Sequence, residues 1–143
     1  MRWRRWVIGS IVLAVVLGAS WFLWVIYLGY SAERDYILAR FVLELVEDYA
    51  TEHGAWPKSW RDLEQVKRSE PWDWPKDSRA IQRRIAVDFD VNVNELANQS
   101  VHQFQAIRPI HPNELFNDDN LRRGPVGSLL KTVRRLTKER NGK

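Results

Sequence analysis

The residues best suited to chemistry fall into four groups. Asp88-x-Asp90-x-Asn92-x-Asn94 places oxygen donors at alternate positions, as the start of a calcium loop does. Such a loop needs Gly at its sixth position and a bidentate Glu at its twelfth; Val93 and Gln99 stand there. The run therefore reads as the polar face of a strand. His53, His102 and His111 lack the i, i+4 spacing and shared carboxylate of a metal-binding pair and read as solvated side chains. Asp118-Asp119 reads as a pair of turn acids. No Ser or Thr sits in an elbow motif, Cys is absent, and no Gly-rich phosphate loop is present. Carboxylates are plentiful, but spacing alone selects no glycosidase pair. The expectation is a non-enzymatic chain with no catalytic, metal or cofactor residues.

Aromatic and cationic groups remain. Trp56, Trp60, Trp72 and Trp74 crowd into 19 residues. Trp56 and Trp60 are expected in the core, where a large ring buries area and its N–H needs one partner. Trp72 and Trp74, in an acidic loop flanked by Pro71 and Pro75, are the candidates for stacking on a glycan or peptide. Lys131, Arg134, Arg135 and Lys138 are the candidates for contact with an acidic surface, either anionic headgroups or an acidic partner.

The elements that must position these groups follow from periodicity. Leu38, Phe41, Val42, Leu45, Val46 and Tyr49 recur at three and four, which predicts an amphipathic helix over 33–52. Gly54 and Pro57 stop it. Ser59 with Asp62 predicts the start of a short helix to about Lys67, burying Trp60, Leu63 and Val66. Residues 69–78 read as a loop. Ile85, Val87, Phe89, Val91 and Val93 alternate with polar residues, predicting a strand over 84–94 with one covered face. A short helical turn is expected over 94–100, and a second, weaker strand over 101–110. A third strand is expected because two alone are marginal. Ser128 is expected to cap a final basic helix carrying Leu129, Leu130, Val133 and Leu136, or else a solvated tail.

Ahead of this region, residues 7–30 form 24 consecutive residues without a charge, thirteen of them Leu, Ile, Val or Phe. As a helix this segment is about 36 Å long, against a hydrocarbon layer of about 30 Å. The aliphatic and Phe side chains favour insertion by roughly 4–8 kcal/mol, with Gly9, Ser10, Gly18, Ser20 and Gly29 opposing. Val7, Leu13, Leu17, Leu23 and Tyr30 mark the expected membrane anchor. A cleavable leader ending at Gly18-Ala19-Ser20 is the competing reading. It would leave a greasy new terminus at Trp21, and the apolar run exceeds the usual 7–15 residues of a leader.

Charge is distributed unevenly. The net charge is +4, but residues 31–121 carry 11 basic and 17 acidic side chains, whereas 122–143 carry eight basic and one acidic. A nucleic-acid-binding body would carry its positive charge on the folded core, so no nucleic acid partner is expected. Arg2, Arg4 and Arg5 precede the apolar run; after it, Arg34 and Arg40 stand among five acids. The positive-inside rule predicts a cytoplasmic N-terminus and an extracytoplasmic remainder in a cell membrane.

A hydrophobic helix running into an amphipathic one, then Tyr49, His53-Gly54-Ala55-Trp56-Pro57 and Asp62-Leu63, resembles type IV pilins and type II secretion pseudopilins over residues 7–67. The resemblance implies a long helix packed on a small antiparallel sheet and a role in an envelope assembly. The family's processing signal is missing: Ser10 follows Gly9, and the fifth residue beyond that glycine is Ala14 rather than Glu. The resemblance thus extends to an anchored domain and not to processing.

The expected organisation is a basic N-terminus (1–6), a transmembrane helix (7–30), an extracytoplasmic α+β domain (31–121) and a basic C-terminal helix or tail (122–143). The expected partners are the lipid bilayer and other membrane or envelope proteins. The alternative is an anchored glycan- or peptide-binding module.

Overall fold

A computed structural model describes residues 2–66, 78–111 and 119–142. Trp72, Trp74 and Asp118 lie outside them. Helix α1 (Arg2–His53) runs unbroken for 52 residues, about 78 Å. Inside it Gly occurs at 9, 18 and 29 and Pro not at all, so nothing removes a ladder hydrogen bond. It ends at Gly54, whose φ of 64° is a left-handed value open to glycine, and whose N–H donates to Ala50 O at 2.9 Å. The chain then turns inward. Trp56 is 6% exposed, and its indole N–H donates to Asp88 O at 2.9 Å.

Helix α2 (Trp60–Glu64) buries Leu63, while Trp60 stays half-buried with its ring edge-on to Phe89. The Ser59 hydroxyl makes no cap hydrogen bond; instead the Asp62 carboxylate reaches back to accept from Lys58 N at 2.7 Å. Helix α3 (Ser78–Gln82) buries Ile81 and leads into β1 (Ile85–Val87).

The strand expected over 84–94 is only three residues long. Its continuation fails because the alternating polar side chains take up backbone N–H groups themselves. Asp88 Oδ1 accepts from Asp90 N and Asn92 Oδ1 from Asn94 N, both at 3.0 Å. Such local bonds compete with a ladder and favour turns and helix caps. Asn92 thereby caps α4 (Val93–Asn98), which takes Val93 out of the expected strand. The second strand is likewise shorter than expected: β2 (Ile107–Pro109) pairs antiparallel with β1 in the register Ile85↔Pro109, Ala86↔Arg108 and Val87↔Ile107. Among the described residues these are the two strands, with no third.

A ladder of three residue pairs is not stable alone. It is held because Ile85 and Ile107 enter a core shared with Val42, Leu45 and Val46 of α1. The rest of that core comes from the C-terminus. Helix α5 (Asp119–Leu121) widens into a π turn (Arg122–Val126) and continues as α6 (Gly127–Asn141). The widening coincides with Pro125, which cannot donate a ladder hydrogen bond and crowds the preceding turn. Leu129, Leu130 and Val133 of α6 are each at most 1% exposed. The C-terminal segment is thus a packed helix rather than a solvated tail, and Ser128 lies inside the helix instead of capping it. The chain is mostly helical, with an α+β domain formed around the second half of α1 and a small two-stranded sheet.

Candidate functional site: the bare half of α1 and the domain surface beside it

The two halves of α1 differ completely in their surroundings. In the second half Val42, Leu45 and Val46 are 0–1% exposed. In the first half Val7, Leu13, Leu17, Leu23 and Tyr30 are 42–66% exposed, and no protein packs on them. The most apolar 18-residue stretch of this helix has a mean hydropathy of 2.4, and none of it is buried. Among the described residues, α1 is the one helix long and apolar enough to cross a membrane. Trp21 and Trp24, at 67% and 56% exposure, stand out from it as well. Ser10, the first polar side chain of the uncharged run, folds its hydroxyl back to donate to Trp6 O at 3.0 Å, which lowers its cost in an apolar setting.

At the junction of the two halves the domain begins abruptly. Ala32 is 8% exposed, and Asp35 5%. Asp35 is ion-paired with Arg84, Nη1 to Oδ1 at 2.5 Å. The Arg84 side chain remains about a third exposed, so the pair is buried on the carboxylate side only. With Ser31, Arg83 and His111 these two residues line a polar pocket of about 300 Å³.

The basic residues of α6 separate into two kinds. Lys131, Arg135 and Lys138 recur at spacings of four and three along one exposed face. Arg134 is turned toward the domain, where its Nε donates to Ala97 O and one Nη to Gln99 O, both at 2.8 Å. These carbonyls end α4, and a guanidinium is well suited to satisfy them. The same helix is fixed to α1 by Glu47, whose Oε1 accepts from Ser128 Oγ at 2.7 Å and from Thr132 Oγ1 at 3.0 Å.

Two further hollows flank the sheet. Asp88, Gln99, Gln103, Gln105 and Arg108 line one of about 490 Å³, and Gln99 Oε1 is buried without a hydrogen-bond partner. An adjoining, more apolar groove of about 590 Å³ shares Gln105 and Arg108 with it and includes Leu43, Phe104, Ile107, Leu121 and Val126. The histidines are scattered. His53 stacks on Tyr49 with ring centroids 4.2 Å apart, the His102 carbonyl accepts from Arg122, and His111 lines the pocket beside Ser31. Desolvation, then the charge of Asp62, raises the Tyr49 phenol above its ordinary pKa of 10.0. Among the described residues no group of three or more His, Cys, Asp or Glu is placed to hold a metal ion.

Sequence reasoning missed the pocket at the junction. Its only local signal is the Arg83-Arg84 doublet ahead of β1, and nothing in the spacing ties Arg84 to Asp35, 49 residues earlier. No protein-family model, curated protein or solved structure matches the chain.

Proposed function

We propose that the chain is a single-pass membrane protein whose residues 7–30 cross the bilayer, with the N-terminus in the cytoplasm and the α+β domain outside. One observation carries this reading: a single unbroken helix has a bare apolar first half and a second half that is the spine of a packed domain. Left in water, the first half would hold a far larger contiguous apolar surface than a soluble monomer tolerates. A helix rigidly continuous through the interface would also fix the domain's height and orientation above the bilayer.

The domain acts through protein contacts and not through catalysis, as a pilin-like anchored subunit of an envelope assembly. The Tyr49 to Pro57 pattern and the helix-on-sheet arrangement support the pilin-like reading, although the sheet is small and α6 covers much of the core. The exposed cationic face of Lys131, Arg135 and Lys138 and the apolar groove beside β2 offer the contact surface.

Cross-linking in intact membranes followed by solubilisation tests the assembly. The expected result is a discrete higher-mass species that fades when Lys131, Arg135 and Lys138 are changed together to Gln. A chain that stays uncross-linked and purifies alone would refute the assembly role while leaving the anchor untouched.

A further inference from the structure

We propose that the pocket lined by Ser31, Arg83, Arg84 and His111 holds the phosphate of an anionic membrane lipid. This rests on the anchored reading above. The apolar run ends at Tyr30, and Ser31 and Asp35 follow it by about 1.5 and 7.5 Å along the helix axis. The polar headgroup layer of one leaflet is about 5–7 Å thick. The pocket therefore lies at headgroup depth.

Its chemistry matches that position. Arg84 is held in place by the buried carboxylate of Asp35, so its planar fork is oriented before any ligand arrives. Arg83 and His111 are exposed at the rim. The lining carries two guanidiniums against one carboxylate, and Glu33 and Arg34 beside it on α1 offset one another. The Ser31 hydroxyl adds a donor. A hollow of about 300 Å³ has room for a phosphodiester and part of its polar head. A free phosphate could satisfy the same donors, but the pocket's place one residue beyond the bilayer-spanning run favours a phosphate tethered there by acyl chains.

Native mass spectrometry on full-length protein in detergent, offered phosphatidylglycerol and phosphatidylcholine in equal amounts, tests this. Both lipids bring a phosphodiester, but only the second brings a compensating cation. Retention of the anionic lipid over the zwitterionic one is expected. The double variant Arg83→Gln, His111→Gln should lower that retention by about fivefold, with circular dichroism unchanged because both side chains are exposed. Arg83→Lys, which keeps the charge, should retain most of it. Equal retention of the two lipids, or retention unaffected by the double variant, overturns the proposal. Displacement of the lipid by inorganic phosphate as readily as by fresh phosphatidylglycerol assigns the pocket to a free anion and overturns the lipid source. Alkaline extraction of the same membranes distinguishes loss of the headgroup site from loss of the anchor. A protein that stays in the membrane but shows no lipid preference loses the headgroup site alone, whereas a protein that is extracted loses the anchor as well.

Discussion

Asp35, at the junction, and Tyr49, near the far end of α1, show what single side chains contribute to the domain. Asp35 is an acid at a position the helix buries, and it is tolerated because Arg84 reaches it from beside β1. Removing one member of a fully buried pair costs about 3–5 kcal/mol. Here Arg84 keeps access to water, so Asp35→Ala should cost less, about 2 kcal/mol. Urea unfolding of the domain in detergent checks this, and Asp35→Asn should recover part of the loss. Tyr49 sets a limit on the alkaline side. Its folded-state pKa lies above 10.0, so the folded state keeps the proton where the unfolded chain has lost it. Stability is whole below about pH 10 and declines as pH rises from there through the raised value. Comparing unfolding at about pH 9 and 11 should show that decline, and Tyr49→Phe should flatten it.

At the scale of elements, α6 adds Leu129, Leu130 and Val133 to the core around α1, where the described residues hold two strands and not the expected third. Its sequence is compatible with either a helix or a tail, because fifteen residues with many charges are marginal as an isolated helix. What settles it is long-range: Glu47 accepts from two hydroxyls one turn apart, and Arg134 closes the end of α4. None of these partners is near in sequence, so periodicity could not reveal them. The strand over 84–94 failed for the opposite reason. Its alternation is real, but the polar positions from Asp88 onward are Asp or Asn, and Asp88 and Asn92 each capture the N–H two positions on. Alternation reports a strand only when the polar positions do not compete for the backbone. The stop at Gly54 and the inward turn of Trp56 were legible, because a left-handed cap and a buried indole both follow from residue type. If α6 is part of the core, Leu129→Ala should destabilise the domain by about 2–5 kcal/mol in the same urea titration. Lys131→Ala, on the exposed face, should stay within about 0.5 kcal/mol.

For the whole molecule, two environments meet along one rod. The bare half of α1 was legible from 24 uncharged residues, whereas the pocket where the halves join was not, since it is assembled from α1, the approach to β1 and the chain after β2. In the anchored arrangement proposed above, α1 has no hinge between its two halves, so movement of one would be transmitted to the other. The reading as an anchored protein stands or falls on where the first half of α1 resides. Alkaline carbonate washing of membranes, followed by mass measurement of the intact chain, tests it most directly. An anchored chain stays in the membrane pellet with residues 7–30 still attached. Release into the wash, or a mature chain that starts at Trp21, would contradict it.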